Sequence, residues 1–382
     1  MTGQAGRWAW LEDAVGALRR DSLYRELAGP QPELLDLSSN DYLGLSRDHR
    51  VLAAAQTVHA GSGGSRLLAG NSRWHTDLEA DLAKFKGVEA ALVFSAGYLV
   101  NTGVLPALAG AQDLILSDAL NHASVVDGCR LARAGGSRVE IYPHRDAAVV
   151  EAILTQGGYR HAFVVTDGVF SMDGDLAPLG ELGEACRRSG AFLIVDDAHG
   201  TGVLGPGGRG TAQALGAEEY VDVRIGTLSK ALGAQGGFVA GPRILVEYLV
   251  NRCRTFIFAT GLAPAVTAAA REALQVIDSD EGARRRRRVL ALAQMFRVEL
   301  TGMGYSVPEG ETPIIPVRVG ESEAALRLAA ALRREGVMAP AIRPPTVAPG
   351  TARLRLSVRA DLTDAAVERG LVAFRRVRSA GG

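Results

Sequence analysis

The sequence is nearly devoid of lysine, since only three of its 42 basic residues are lysines and the others are arginines. Lys84 and Lys86 lie in the charged helical run "LEADLAKFKG", whereas Lys230 lies among small residues in "TLSKALGAQGG". Unlike arginine, lysine can lose its proton near neutral pH and attack a carbonyl group as a free amine. A solvated loop lysine is the alternative, but this chain uses arginine as its usual surface cation. We therefore predict a chemical role for Lys230.

Cysteine and long apolar runs are scarce as well. Cys129, Cys186 and Cys253 are far apart in the sequence, with the spacing of neither a disulfide framework nor a zinc site. The N-terminus lacks the apolar segment of a secretion signal, and no apolar run reaches the ~18 residues of a membrane span. These absences predict a cytoplasmic protein without a membrane partner.

The chain has no excess of charge of either sign, because 42 acidic residues balance 42 basic ones. Such a balance argues against a nucleic-acid partner, which a protein usually binds through a field of one sign. The block Arg284–Arg288 is an exception, but it opens a run in which Val289, Leu292 and Phe296 recur at helical spacing. We interpret the block as the solvated start of a helix rather than as a phosphate-binding patch.

Apolar runs and helical patterns alternate from about residue 76 to about residue 240. Strands separated by helices predict an α/β fold with a mostly parallel central sheet and helices on both faces. After residue 276 a long helix from Glu281 and isolated strand-like runs predict a smaller α+β domain. We expect an N-terminal arm at residues 1–38, a large domain at 39–275 and a small C-terminal domain at 276–382.

One glycine pattern resembles a dinucleotide-binding fingerprint. Gly200, Gly202 and Gly205 follow a predicted strand with the spacing G-x-G-x-x-G. The segment "GPGGRGTAQ" stands where that fingerprint requires a helix to begin. An irregular loop is therefore the better interpretation.

Polar residues cluster where the predicted strands end, which is where ligands bind in parallel sheets. They are Asp167, Asp196, His199, Thr227 and Lys230. The carboxylate of Asp196 is suited to keep a pyridine nitrogen protonated, and His199 can reach a phenolic oxygen beside it. For His122 in "LNHAS", a core or surface histidine is the alternative to a ligand-binding one.

A phosphate site is predicted in the loop "SAGYLVNTG", which follows the strand "ALVF" and opens a helix. The amides of Gly97 and Tyr98 would point at an anion there, and the hydroxyls of Ser171 and Thr227 can add to the site. A protonated pyridine, a phenolate, a phosphate and the amine of Lys230 together describe pyridoxal phosphate.

Motifs along most of the chain resemble those of the α-oxoamine synthases, which are fold type I pyridoxal-phosphate enzymes. The motifs include "SSNDYLGL", "LNHASVVDG", "VVTDGVFSMDGD", "VDDAHGTGVLG", "TLSKALGAQGG" and "GTARLRLSV", and the similarity extends from about residue 36 to about residue 360. The resemblance implies the fold type I architecture and a homodimer with active sites at the subunit interface. It implies no metal site.

The resemblance also implies a role for each matching residue. Lys230 would bind the cofactor covalently, Asp196 would bind its pyridine nitrogen, and His199 its phenolic oxygen. His122 would stack on the ring and face the substrate. The other implied cofactor contacts are Gly97, Tyr98, Ser171, Thr227 and, from the neighbouring subunit, Thr260. The implied substrate contacts are Arg355 and Asn40 for an amino-acid carboxylate, Thr346 for the acyl chain, and one of Arg19, Arg20 and Arg25, of which we favour Arg25.

The resemblance is greatest to the family member that condenses L-alanine with a pimeloyl thioester, on coenzyme A or acyl carrier protein, in biotin synthesis. "RPPTV" followed by "GTARLRL" carries this similarity. Other family members use glycine with succinyl-CoA or acetyl-CoA, or serine with a long acyl-CoA. A fold type I aminotransferase is a further alternative.

Overall fold

The computed structural model of the chain describes residues 7–27, 29 and 31–380. Its strands are β1 (Leu35–Asp36), β2 (Ala90–Phe94), β3 (Leu114–Asp118), β4 (Arg138–Tyr142), β5 (Ala162–Asp167), β6 (Phe192–Asp196), β7 (Val223–Thr227), β8 (Gly237–Gly241), β9 (Ile314–Gly320), β10 (Val337–Met338), β11 (Ala341–Ile342) and β12 (Ala352–Ser357). Its helices are α1 (Ala9–Arg20), α2 (His49–Ala55), α3 (Arg73–Lys86), α4 (Gly97–Leu108), α5 (Ala123–Ala134), α6 (Ala147–Gln156), α7 (Leu179–Ser189), α8 (Thr211–Ala214), α9 (Arg243–Arg252), α10 (Arg254–Ile257), α11 (Pro264–Ile277), α12 (Asp280–Gly302), α13 (Ser322–Arg334) and α14 (Asp364–Ala380).

The central sheet has seven strands in the spatial order β2, β8, β7, β6, β5, β3, β4. The strands from β7 to β4 pair in parallel, whereas β8 is antiparallel to both of its neighbours. The prediction of a mostly parallel sheet is confirmed. Strand β8 was not predicted, because its sequence "GFVAG" follows a glycine-rich stretch, has glycine at both ends and reads as loop.

Alternate residues of the buried strands pack against helices on opposite faces of the sheet. On β3, Ile115 belongs to the apolar core that contains residues of α4 and α5. Leu114 and Leu116 point the other way, into the core that contains residues of α6 and α7. The helices therefore cover both faces, and the polar residues that follow β5, β6 and β7 gather at one edge of the sheet.

The last part of the chain forms a small antiparallel sheet in the order β11, β12, β9, with α13 packed against all three strands. Near the N-terminus, β1 pairs in parallel with β10 and so joins the predicted arm to this part of the fold. The domain boundaries stay a prediction. Within the predicted arm, residues 1–6, 28 and 30 lie outside the described residues.

The helix predicted for the arginine block is confirmed as α12, but its arginines are not all solvated. Arg286 is buried and donates to the backbone oxygens of Ile277, at 2.7 Å, and Pro206, at 3.2 Å. Arg285 donates to the carboxylates of Asp48 and Glu281. The prediction of a solvated helix start is wrong for Arg286, because the carbonyl groups that end α11 need donors of their own.

The three cysteines are free and buried. Within residues 7–27, 29 and 31–380, no helix combines the length and the apolar character needed to cross a bilayer. The same residues contain no metal-binding group of three or more His, Cys, Asp or Glu side chains.

His144 connects the ends of two segments beside the sheet. Its Nδ1 lies 2.9 Å from Oδ1 of Asp118, at the end of β3, and its Nε2 lies 2.9 Å from Oδ2 of Asp175, in the loop after β5. The ring packs edge-on against Phe170, with centroids 4.4 Å apart. Burial lowers the pKa of His144, but the two carboxylate hydrogen bonds outweigh this effect and raise the pKa to about 9.

This raised pKa makes the stability of the fold depend on pH. A histidine whose folded-state pKa is raised stabilises the fold fully below its unfolded pKa and loses that effect as the pH rises through the folded value. We expect His144→Gln to lower the free energy of unfolding by about 2 kcal/mol at pH 6 and by progressively less towards about pH 9.5. Urea unfolding at several pH values measures this difference. His49→Gln is the control, since the side chain of His49 is 91% exposed, and a pH-independent loss in His144→Gln would contradict the prediction.

Candidate active site

A cavity of about 230 Å³ lies where β5, β6 and β7 end and α4 begins. Seven of the residues predicted for the cofactor site line it. They are Gly97, Tyr98, His122, Asp196, His199, Thr227 and Lys230. The structure therefore brings these residues together at the edge of the sheet, while their individual roles stay predictions.

Lys230 follows β7 in a tight turn of small residues. Gly233 in this turn has a φ of +61°, and a Cβ atom there would approach the backbone of Ser46 to 2.3 Å. The Nζ of Lys230 lies 2.9 Å from Nε2 of His199. Burial lowers the pKa of Lys230 to about 8, against the raising effect of the Asp196 carboxylate. Roughly a tenth of the amine is then unprotonated at pH 7.

His199 is held on both sides of its ring. Besides the contact with Lys230, its Nδ1 lies 2.6 Å from the hydroxyl of Tyr42. Burial, together with the charge of Lys230, keeps the pKa of His199 well below the usual range. The imidazole is therefore neutral at physiological pH, and it can exchange a hydrogen bond with a ligand oxygen without carrying charge.

Two carboxyl groups lie next to each other at the ends of β5 and β6, because Asp167 and Asp196 are direct partners in the parallel ladder. Asp196 accepts from Nδ2 of Asn101 at 2.6 Å and from the amide of Ala198 at 3.1 Å. Asp167 accepts the amide of His122 at 3.2 Å through Oδ2. Burial, and then the charge of Asp196, raise the pKa of Asp167 well above its usual range. Asp167 thus favours its neutral form.

The first turn of α4 provides an anion site. Helix amides in a first turn lack acceptors within the helix, and the helix dipole favours negative charge there. Gly97 opens the helix beside β7, and a Cβ atom at this position would come within 3.2 Å of the Thr227 hydroxyl. That hydroxyl donates to the Gly236 carbonyl at 2.9 Å and accepts the amide of Ser229 at 3.1 Å. The arrangement suits a phosphate group.

His122 combines a structural contact with a place at the cavity. It caps α5, because its Nδ1 accepts the amide of Ser124 at 3.2 Å. Its ring lines the cavity and meets the ring of Tyr98 edge-on, with centroids 6.3 Å apart. Burial lowers the pKa of His122. A neutral ring at this place can lie against a planar ligand.

A second polar group is centred on Arg355, which is buried on β12. Its guanidinium donates to Oδ1 of Asn40 at 3.0 Å and to the hydroxyl of Ser357 at 2.9 Å. It also donates to the backbone oxygen of Ser171. The predicted residues Asn40, Ser171 and Arg355 therefore meet, and the charge of Arg355 lowers the pKa of both Lys230 and His199. The predicted cofactor contact of the Ser171 hydroxyl stays a prediction.

The two residues predicted for the acyl chain are neighbours although 321 positions separate them. Arg25 donates to the hydroxyl of Thr346 at 3.2 Å. Thr260 pairs with Ser65 in a short bridge and is not among the described residues that line the cavity. Its predicted place in the site of a neighbouring subunit stays a prediction.

The sequence did not point to Tyr42 or Asn101, and it gave Asp167 a position without a role. The sequence could have indicated Asn101 as a site residue, because it lies one helical turn after Gly97 and so on the same face of α4. No local pattern in the sequence could have indicated Tyr42, since 157 positions separate it from His199.

The donor set fits pyridoxal phosphate. Oδ1 of Asp167 is buried and has no hydrogen-bond partner among the described residues, although it lies beside the carboxylate of Asp196. Two buried carboxyl groups side by side favour a positively charged ligand atom, such as a protonated pyridine nitrogen. An amine, a neutral imidazole and a helix N-terminus complete the groups that the aldehyde, the phenolic oxygen and the phosphate of this cofactor would require.

Comparison with known proteins places the chain among enzymes of this type. The family model described as aminotransferase class I and II matches residues 32–374. An 8-amino-7-oxononanoate synthase from Anaeromyxobacter dehalogenans is 49% identical, with 97% of this chain and 96% of the relative covered.

Two solved structures have the same fold. A serine palmitoyltransferase from S. paucimobilis that carries PLP and myriocin superposes with a TM-score of 0.90, at 29% identity, over 99% of each chain. An 8-amino-7-oxononanoate synthase from Francisella tularensis superposes with a TM-score of 0.75, at 25% identity, over 91% of this chain and 98% of that one. The α/β architecture is therefore the fold type I architecture of pyridoxal-phosphate transferases.

Proposed function

Because this chain belongs to the family of class I and II aminotransferases, we propose that it is a pyridoxal-phosphate acyltransferase that condenses L-alanine with a pimeloyl thioester. The products are 8-amino-7-oxononanoate, carbon dioxide and a free thiol, as a step of biotin synthesis. The observation that carries the proposal is the contact between Lys230 and His199 in the cavity that also contains Asp196 and the first turn of α4. The relatives named 8-amino-7-oxononanoate synthase support the choice of substrates.

The chain supplies the groups that hold the cofactor. The amides of Gly97 and Tyr98 would bind its phosphate together with the hydroxyl of Thr227, and His122 would face its ring. Asp196 would keep a proton on the pyridine nitrogen, and His199 would bind the phenolic oxygen. Bound in this way, pyridoxal phosphate supplies an electron-accepting ring that stabilises negative charge on the substrate Cα.

Lys230 moves the proton in this reaction. Its amine, with a pKa near 8, takes the proton from Cα of L-alanine. Cα can then form a bond with the thioester carbonyl carbon, the thiol leaves, and the alanine carboxyl group departs as carbon dioxide. Lys230 returns a proton to Cα, so that the amino ketone is released.

Arg355 and Asn40 bind the carboxylate of the amino acid, and Arg25 and Thr346 bind the acyl chain. The planar fork of an arginine can donate to both oxygens of a carboxylate, which a lysine ammonium cannot do in the same geometry. The contact between Arg25 and Thr346 supports a common role for these two residues, since each was assigned to the acyl chain separately.

Arg355→Lys is expected to raise KM for L-alanine about 10- to 100-fold with a smaller effect on kcat, because the charge remains but the fork is lost. Steady-state kinetics with varied L-alanine at saturating acyl donor measures this change. Arg353→Lys is the control, because Arg353 lies on the same face of β12 and pairs with Asp173. Equal increases of KM in both variants would contradict the assignment of the carboxylate to Arg355.

The test of the function is thiol release from pimeloyl-CoA with L-alanine, glycine and L-serine in parallel. The proposal predicts the fastest release with L-alanine. Release with glycine and succinyl-CoA, but none from a pimeloyl thioester on coenzyme A or acyl carrier protein, would overturn it. The likeness to serine palmitoyltransferase makes L-serine with palmitoyl-CoA the second pair to assay. An aminotransferase would instead convert its cofactor to pyridoxamine phosphate with an amino donor alone.

We also propose that the active unit is a homodimer in which Thr260 reaches the cofactor phosphate of the partner. Thr260 stands two residues after Phe258, an aromatic residue that is 70% exposed in the single chain. An exposed aromatic side chain of this size is typical of a subunit interface. Sedimentation velocity tests the proposal, with an expected mass of twice the 40.1 kDa of the chain.

A further inference from the structure

Lys86 is the last residue of α3, and its environment differs from that of Lys84 in the same charged run. Lys84 is exposed, whereas Lys86 is only 3% exposed. The ammonium group of Lys86 lies 2.6 Å from the backbone oxygen of Arg209, 2.7 Å from the Thr201 hydroxyl and 3.3 Å from Oδ2 of Asp197. A lysine ammonium has three donors around one centre, and all three have an acceptor here. A planar guanidinium cannot direct its donors to three acceptors around a single point, which explains a lysine in a chain that otherwise uses arginine.

The three acceptors belong to one segment, residues 197–211, which contains the glycines of the dismissed fingerprint. Asp197 is the centre of this segment, because it also accepts from the hydroxyl of Thr201 at 3.2 Å and from the amide and hydroxyl of Thr211 at 3.1 and 2.6 Å. The backbone closes tightly around its side chain. A Cβ atom at Gly200 or Gly210 would come within 2.2 or 1.6 Å of an Asp197 carboxylate oxygen.

The same segment also contains His199, which lines the candidate active site. His199 lies between Asp197 and Thr201, and both of these neighbours are bonded to Lys86. The ring of His199 meets the amine of Lys230 and the hydroxyl of Tyr42. The backbone that holds His199 is therefore fixed by a side chain that does not line the cavity itself.

We propose that Lys86 is a positioning residue that keeps His199 against Lys230 by holding Asp197 and Thr201 in place. Removing the ammonium group leaves the buried Asp197 carboxylate without its cationic partner, although the donors of Thr201 and Thr211 remain. It also takes the Lys86 donor from the Thr201 hydroxyl and the Arg209 carbonyl, so that the segment is expected to rearrange. The inference rests on the proposed function for its chemical meaning, but the geometry of Lys230 and His199 can be tested without turnover.

The experiment compares Lys86→Met, Lys86→Arg and Thr201→Val with Lys84→Met, the control on the exposed side of the same helix. The full chain, freed of cofactor, is treated with acetic anhydride at a series of pH values, and acetylation of Lys230 is followed by mass spectrometry. The chain has only three lysines, so that each is resolved separately. The dissociation constant for pyridoxal phosphate is then measured by absorbance.

We expect both Lys86 variants to shift the pH midpoint of Lys230 acetylation by about half a pH unit or more and to weaken cofactor binding about tenfold. Thr201→Val removes one acceptor with little change of shape, and it should shift the midpoint less. Lys84→Met should match the wild type. If folded Lys86→Met has the wild-type pH midpoint of Lys230 acetylation, the inference is overturned. If Lys86→Met does not fold, a wild-type midpoint in Thr201→Val overturns it instead. A shifted midpoint in a protein that releases no thiol from any acyl donor would instead overturn the proposed function alone.

Discussion

Replacing Lys230 with alanine is expected to lower the rate of thiol release by at least about 10³-fold, because in the proposed mechanism the amine is both the covalent anchor of the cofactor and the base at Cα. No other lysine can take its place. Lys84 is exposed, and the ammonium of Lys86 is fully engaged by Asp197, Thr201 and Arg209. The measurement is the rate of thiol release from pimeloyl-CoA with L-alanine at pH 8.

Lys84→Ala is the matched control, and its rate should equal that of the wild type. The wild-type rate should also rise with pH towards the pKa of Lys230, near 8, because the unprotonated amine is the active form. Residual thiol release in Lys230→Ala within tenfold of the wild type would rule out Lys230 as the catalytic base.

Asp196→Asn is expected to lower kcat by about 10² to 10³-fold with little change in the size or packing of the side chain. The neutral amide cannot keep a proton on the pyridine nitrogen, so that negative charge at Cα is stabilised less. Asn101 would also lose the charged acceptor that it now contacts at 2.6 Å. Steady-state kinetics with L-alanine and a pimeloyl thioester measures the loss.

Asp167→Asn provides a close comparison, because Asp167 is the direct neighbour of Asp196 in the ladder and is also buried. Burial already favours the neutral form of Asp167 by raising its pKa. The side-chain oxygen of asparagine at this position can still accept a hydrogen bond from the backbone N–H of His122. We therefore expect kcat to fall by less than about tenfold. Equal losses of kcat in the two variants would contradict a neutral Asp167 and a special role for Asp196.

The sequence alone predicted six of the seven strands of the central sheet, the edge at which the site forms and half of the residues that line the cavity. These features follow from local patterns, namely apolar runs of strand length and polar residues at their ends. Strand β8 escaped prediction because a glycine-rich strand has the local signal of a loop. The contacts of Tyr42 with His199, and of Lys86 with Asp197, escaped it because they join side chains across more than a hundred positions, which no local spacing records.

The bond between Asn40 and Arg355 spans 315 positions in the sequence. Contacts of such range raise the contact order of the fold, and the loop that they close carries a large entropic cost that must be met before they form. We therefore expect the proposed carboxylate site to form late in folding, after the strands between residue 90 and residue 241 have paired. For the same reason we expect this site to be lost when the C-terminal strands detach. A partly opened chain should then keep the residues predicted to bind the cofactor and lose its selection of the amino acid.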